Sequence, residues 1–266
     1  MPSPFLKWAG GKSQLLPEIR KLYPAKYAKY YEPFLGGGAV FFDLMPENYL
    51  LSDINPELIN VYKTIATKHK QVIEKLRLMK NTETYFYKKR AQRFEDLDRI
   101  EAAARTIFLN RTCFNGLYRV NKRGQFNVPY GRYKNPDFVQ ELKLEDSSKL
   151  LKANSIVHMP FEELQKLEIT NKDFIFFDPP YVPLDGYADF KRYTKEQFHM
   201  DSQESLADLF RSLASKGVKL ILTNSNTEAV LRLYKGFDFK VIQAKRNINS
   251  KGNKRKGEDL IIYANL

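Results

Sequence analysis

Asp178-Pro179-Pro180-Tyr181 follows directly on the apolar run Phe174-Ile175-Phe176-Phe177, so a carboxylate leaves the end of what reads as a central parallel strand. Pro180 fixes its own φ at about −65° and restricts the residue before it, which makes the backbone there stiff. Stiffness aims two acceptors, the Asp178 carboxylate and the Pro179 carbonyl oxygen, at one point beyond the carboxyl edge of a sheet. An exocyclic amino group would satisfy both. Tyr181 adds an aromatic face for a flipped-out base, worth about 1–3 kcal/mol where bases stack on aromatic side chains. A rigid turn carrying a surface tyrosine is the plainer alternative.

Two glycine turns accompany this segment. In Glu32-Pro33-Phe34-Leu35-Gly36-Gly37-Gly38-Ala39-Val40, glycines sit between a strand and a helix, where missing side chains let a ligand approach the backbone and the helix N-terminus. Asp53, at the tip of the next strand, is placed to accept from ribose hydroxyls. Asp53-Ile54-Asn55 would also cap a helix starting at Pro56, and the two roles can coexist. The spacing is not G-x-G-x-x-G, which disfavours a dinucleotide and with it an oxidoreductase. The second turn, Lys7-Trp8-Ala9-Gly10-Gly11-Lys12, reads either as a further ligand site or as an N-terminal turn with a solvent lysine and a core tryptophan.

The net charge of +13 is concentrated. Residues 111–134 carry Arg111, Arg119, Lys122, Arg123, Arg132 and Lys134 without an acid. Residues 245–256 carry Lys245, Arg246, Lys251, Lys254, Arg255 and Lys256, again without one. Outside them, 32 basic residues nearly balance the 31 acids, so the surplus belongs to two segments and points to a polyanion. Phe114, Tyr118, Phe126, Tyr130 and Tyr133 interleave with the first set, as a surface that stacks on bases while pairing phosphates would require. A single cysteine, Cys113, excludes an internal disulfide and makes a reducing cytoplasm the expectation. No apolar run reaches the roughly 18 residues of a membrane helix, and the N-terminus lacks the order of a secretory signal. His69, His158 and His199 lie far apart with no companion cysteine pair, which argues against a zinc site.

The elements that must position these residues alternate. Tyr30–Phe34 reads as a strand, Ala39–Met45 as a helix and Tyr49–Ser52 as a strand ending at Asp53. Further strands are expected at Ser155–Met159, Phe174–Phe177, Val218–Leu222, Phe239–Gln243 and Leu260–Ala264. Helices are expected from Phe161, over Ser202–Leu213 and over Thr227–Tyr234. The class is α/β. Between them, helical spacing runs from Pro56 to about Met79, from Glu83 to about Leu109 and near Asp137–Leu151. Asn121-Lys122-Arg123-Gly124, between Leu117–Val120 and Gln125–Val128, is a hairpin signal. This block interrupts the alternation, so residues 57–151 are expected to form an inserted domain and residues 1–56 with 152–266 the other.

Lys7–Lys12, Glu32–Val40, Asp53, Asn115–Arg132 and Asp178–Tyr181, in that order, resemble the Dam-type, class α, DNA adenine-N6 methyltransferases over nearly the whole chain. The Dpn-type GATC modification methylases of restriction-modification systems are the nearest group. The resemblance implies a Rossmann-like methyltransferase domain with a mainly helical target-recognition domain carrying a β-hairpin. It further implies methylation of N6 of adenine, in GATC, by base flipping, with Asp178, Pro179, Pro180 and Tyr181 as the catalytic motif. S-adenosylmethionine would be the methyl donor. Trp8, Lys12, Asp53 and Asp178 match residues that contact it, Phe34–Gly38 (Gly36 and Gly38 included) line its pocket, and Phe161 packs on its adenine. By the same resemblance Lys7 contacts the first guanine and Arg119 a later one, while Leu117 and Pro129 lie against the thymine methyl and Phe114 and Asn115 fill the gap left by the adenine. Arg111, Lys122, Arg123, Arg132, Lys254 and Arg255 are assigned to DNA as well, mostly to phosphates. Where relatives often carry Gly-Asp-Phe, this chain has Met159-Pro160-Phe161, which bears on cofactor affinity. Double-stranded DNA is the expected partner of a cytoplasmic monomer, bacterial or phage-encoded, without metal or membrane. Competing readings are methylation of an RNA base or a protein amide, and a DNA-binding module that has lost catalysis.

Overall fold

The computed structural model describes residues 1–8, 12–182, 198–245 and 256–266. In chain order the helices and strands are α1 (Leu16–Arg20), β1 (Tyr30–Glu32), α2 (Ala39–Leu44), β2 (Tyr49–Asp53), α3 (Pro56–Arg77), α4 (Glu83–Ala91), α5 (Arg99–Thr112), α6 (Glu141–Leu150), β3 (Ile156–His158), β4 (Phe174–Phe177), α7 (Met200–Ser215), β5 (Lys219–Ser225), α8 (Glu228–Leu233), β6 (Asp238–Lys245) and β7 (Lys256–Ala264).

Among the described residues, seven strands form one sheet in the order β3-β2-β1-β4-β5-β7-β6. The first five are parallel, with Tyr30 opposite Phe174 and Tyr31 opposite Ile175. β7 runs antiparallel to both β5 and β6. The chain order reverses between β1 and β4. In an open α/β sheet that reversal leaves a crevice beyond the carboxyl ends of the two strands, where ligands bind. The glycine turn leaves β1 there, and Asp178 leaves β4. The arrangement is a Rossmann-like methyltransferase fold.

The two-residue period of the strands sorts the core. Tyr30, Phe174, Phe176, Ile221 and Ile261 pack on one face, and Tyr31, Ile175, Phe177, Leu220, Leu222 and Ile262 on the other. All four residues of β4 are buried, which is why that strand shows no alternation in its sequence. On the first face the core runs on without a break into Tyr62, Phe108, Tyr118 and Phe126, so the interrupting block packs directly on the sheet.

Three expectations change. The helical run from Glu83 to Leu109 is two helices, because Gln92 leaves helical geometry and Asp98 opens α5 by accepting from the Ile100 and Glu101 N–H groups. The expected helix from Phe161 is a 3-10 turn, Phe161–Lys166. The hairpin over 117–128 is sparse. Its arms meet at the Val120–Phe126 bridge, and Gly124 sits at φ 78° while the Asn121 side chain accepts from the Arg123 and Gln125 N–H groups. Among the described residues, no helix is long and apolar enough to cross a membrane.

Candidate active site

Asp178 emerges from β4 with its Oδ1 2.6 Å from Lys12 Nζ and 2.9 Å from the donating Thr223 Oγ1 on β5. Lys12 is 4 % exposed and Asp178 22 %. Burial pulls the Lys12 pKa down, but Asp178 and Tyr181 outweigh it and hold the amine charged, above its ordinary range. Burial likewise pushes the Asp178 carboxyl up, against the pull of Lys12 and Thr223. Lys12 Nζ also lies 4.7 Å from the centre of the Tyr181 ring, within cation–π reach. Lys12, from near the start of the sequence, therefore joins Asp178 and Tyr181 in one cluster at the crevice.

Behind it lies Glu32, the last residue of β1. It is buried, accepts from the Tyr30 hydroxyl at 2.7 Å, and is pushed up to about 8 by burial, with Asp178 adding to the effect. At neutral pH the balance therefore lies toward the protonated acid. The backbone after Asp178 is held from two other elements. Gln203 Nε2 on α7 donates to the Pro180 carbonyl at 2.8 Å, Asn224 Oδ1 on β5 accepts from the Val182 N–H at 3.2 Å, and Ser225 Oγ donates to the Val182 carbonyl at 2.7 Å.

At the glycine turn, Gly36 and Gly38 have φ of 47° and 66°, a region side chains rarely adopt. A Cβ at Gly36 would stand 2.8 Å from Trp8 Cδ1, and one at Gly37 3.1 Å from Trp8 Cβ. These glycines thus make room for the Trp8 side chain, a demand internal to the protein that the motif alone did not reveal. Asp53 Oδ2 accepts from the Gly36 N–H at 3.0 Å, and Oδ1 from the Asn55 N–H at 2.9 Å. Burial raises Asp53 to about 6, opposed by those two bonds. Asn55, rather than Asp53, caps α3, its side chain accepting from the Glu57 and Leu58 N–H groups. Phe161 stacks on Phe34 at 5.4 Å, and Phe198 closes an aromatic trio with both.

A family model for the D12 class of N6 adenine-specific DNA methyltransferases matches residues 8–248, a span that holds the glycine turn, Asp53 and Asp178–Tyr181. The chain belongs to that family. Type II methyltransferase M1.LlaDCHI of Lactococcus lactis subsp. cremoris is 43% identical over 270 residues, covering 98% of this chain and 95% of its own. Type II methyltransferase M.MjaIII of Methanocaldococcus jannaschii is 43% identical over 275 residues, 95% of each chain. The DNA adenine methylase of Escherichia coli K12 is 31% identical over 262 residues, 97% of this chain and 93% of its own.

In this adenine-specific DNA methyltransferase the other expected residues make contacts of their own. Lys7 is exposed, and both its peptide groups are held by one side chain: its N–H donates to Asn110 Oδ1 at 2.8 Å, and its carbonyl accepts from Asn110 Nδ2 at 2.7 Å. Lys7 Nζ lies 5.0 Å from the centre of the Tyr133 ring, and a Cβ on Gly116 would collide with the Lys7 stem. Asn115, at φ 54°, donates its N–H to the Tyr133 hydroxyl at 3.0 Å. Arg119 Nε donates to Asn127 Oδ1 at 2.8 Å, so this side chain is engaged within its own loop. Pro129, Lys122 and Arg123 are exposed, Leu117 is half-buried, and the half-buried Arg111 donates to the Asp137 carbonyl. Arg132 stands 3.7 Å from Glu83. Lys254 and Arg255 lie outside the described residues.

The aromatic expectation needs correction. Tyr118 and Phe126 are buried, Tyr118 stacking on Trp8 at 4.9 Å, and Tyr130 bonds Asn81. Phe114 is the large exposed ring of this stretch, 51 % accessible. An irregular loop has no period, so its pattern of residue types could not show which rings turn inward. Sequence reasoning also missed Thr223, Gln203, Asn224, Ser225, Asn110 and Glu32, all polar and buried. Glu32 was visible as part of its motif; the others act across long sequence separations and left no local signal.

Proposed function

We propose that the methyltransferase transfers a methyl group from S-adenosylmethionine to N6 of the adenine in GATC within duplex DNA, as a cytoplasmic monomer. The observation that carries this reading is the position of Asp178, set at the chain-order reversal of the sheet between a buried ammonium and a hydroxyl. The crevice suits the donor's chemistry. Asp53 offers carboxylate oxygens for ribose hydroxyls, Phe34, Phe161 and Phe198 offer aromatic surface for an adenine, and Lys12 with Asp178 offers both signs of charge to an amino-acid end. Bound there, S-adenosylmethionine supplies an electrophilic sulfonium methyl.

The protein's part is to make the adenine amine a nucleophile. Its nitrogen lone pair is delocalised into the ring. Hydrogen bonds from its two hydrogens to Asp178 and to the Pro179 carbonyl favour the pyramidal form and hold it facing the methyl, which is positioning plus preorganised electrostatics. Gln203 engages the Pro180 carbonyl, which leaves the Pro179 carbonyl as the proline acceptor of this pair. Tyr181 backs the flipped base.

Residues 57–151 form the target-recognition unit in this reading. Lys7 and Arg119 contact guanines, as major-groove geometry favours for cationic side chains, and Leu117 with Pro129 meets the thymine methyl. Phe114 and Asn115 fill the space left by the adenine. Arg111, Lys122, Arg123, Arg132, Lys254 and Arg255 hold the backbone without reading sequence. The test is incorporation of labelled methyl from S-adenosylmethionine into duplexes that differ by one base pair within GATC. Label in N6-methyladenine of the GATC duplex, lost on changing any of its base pairs, is the expected result. Equal labelling of all the duplexes would reject the GATC assignment.

A further inference from the structure

Pro179 and Pro180 bring no N–H groups, so the turn that carries the catalytic carbonyl cannot hold itself through its own donors. Whatever fixes its geometry must come from outside. Gln203 does so from α7, where it is 3 % exposed.

The orientation of its amide follows from a chain of bonds that begins at the backbone. Asn224 Oδ1 accepts from two backbone N–H groups, those of Val182 at 3.2 Å and Ser225 at 2.9 Å, and both are donors without a choice of role. The Asn224 Nδ2 group must then face the other way, where it donates to Gln203 Oε1 at 3.1 Å. That turns Gln203 Nε2 toward the Pro180 carbonyl, 2.8 Å away. Ser225 Oγ completes the set at the Val182 carbonyl. Flipping the Gln203 amide would break two of these bonds and flipping that of Asn224 three.

We propose that Gln203 is a positioning residue for methyl transfer: by holding the Pro180 carbonyl, it fixes the plane of that peptide and with it the direction of the neighbouring Pro179 carbonyl. The inference rests on the reading that Asp178 and Pro179 receive the adenine amine. Gln203 itself touches neither DNA nor donor in this scheme. Its effect is on the chemical step.

Gln203→Glu tests this with almost no change of shape. The ionised carboxylate is acceptor-only and repels the Pro180 carbonyl, whereas the protonated acid donates a hydrogen bond again. At about pH 8.5, kcat should fall roughly 100-fold, the scale of a misplaced reacting group, with DNA and S-adenosylmethionine Kd values moving less than about threefold. At a position only 3 % exposed, burial raises the introduced carboxyl above its ordinary range, so lowering the pH to about 6 moves it toward the acid, and the ratio of variant to wild-type kcat should climb by about tenfold. Other ionisable side chains face this turn, Lys12, Asp178 and Tyr181 with Asp259 acting on Tyr181, while His199 and Glu204 flank Gln203 in the chain, and dividing by the wild-type profile removes what they share between the two enzymes. Gln203→Met, which cannot donate, should stay low at every pH.

A flat ratio, or a loss carried by KM with kcat intact, would overturn the proposal. Should the glutamate variant not fold, Gln203→Met decides: wild-type kcat overturns it, and a fall confined to kcat supports it. Wild-type enzyme that methylates no adenine at all would instead sink the functional reading, before any variant is compared.

Discussion

Residues 178–182 and 117–128 carry the two halves of the proposed task, and they are built in opposite ways. In the first, Asp178, Pro180 and Val182 are each bonded by a buried side chain from another element. The second is closed by one bridge and a glycine turn, with Lys122 and Arg123 exposed at its tip. Chemistry on an amine gains from acceptors that are already in place, since dipoles that need no reorganisation lower the barrier most. Reading a duplex requires side chains that can exchange partners. In that loop Arg119 is bonded by a near neighbour, Asn127, and by no buried side chain from another element among the bonds it makes.

The contrast breaks most sharply at Asp178. Asp178→Ala should lower single-turnover methylation by on the order of 1,000-fold or more, the scale for removing a preorganised charge-stabilising group, while DNA affinity survives. A mobility-shift titration beside a rapid-quench assay checks both halves. Near-normal methylation would remove Asp178 from the mechanism. On the reading side, Arg119→Ala should cost about 1–3 kcal/mol of discrimination at one base pair with little change on random duplex, measured by competition between the two. Equal losses on both would make Arg119 a phosphate contact.

Thr223→Val sharpens the comparison from the rigid side. The Thr223 hydroxyl lowers the Asp178 pKa, so its loss raises that pKa further. The accepting carboxylate is the deprotonated form, so the acidic limb of the kcat profile should move to higher pH, with kcat down by about tenfold or more for one hydrogen bond to a charged group. Thr223→Ser should restore both, and an unmoved limb would show that the hydroxyl does not bear on Asp178.

Smaller still is an effect on stability. Glu32 is raised in the folded state to about 8, above its ordinary carboxyl range, so its contribution is fully present at low pH and is lost as pH rises through about 8. Glu32→Gln should therefore flatten the decline of the thermal midpoint between pH 5 and pH 8.5. Parallel curves for variant and wild type would contradict a protonated Glu32.

How much of this could be read from the chain follows the same division. Four apolar residues before Asp178, two prolines after it and three glycines after β1 are local patterns with local causes, and each element they predict is present at its place. The block from 57 to 151 was legible as helices with a hairpin, yet its break at Gln92 to Asp98 lay hidden inside a continuous apolar spacing. Beyond that, the supports of the site escape any window. Thr223 lies 45 residues from Asp178, and Asn110 lies 103 from Lys7. A buried threonine or asparagine on an apolar element looks like an interruption until the fold supplies its partner.

The most direct measurement is the distance from the target adenine N6 to Asp178 and the Pro179 oxygen in a complex with GATC duplex and an unreactive S-adenosylmethionine analogue. Both distances should be about 3 Å, in hydrogen-bond range, with the analogue's sulfur side of the amine facing the crevice between β1 and β4. An adenine still stacked in the duplex, or an analogue seated away from Asp178, would contradict the mechanism.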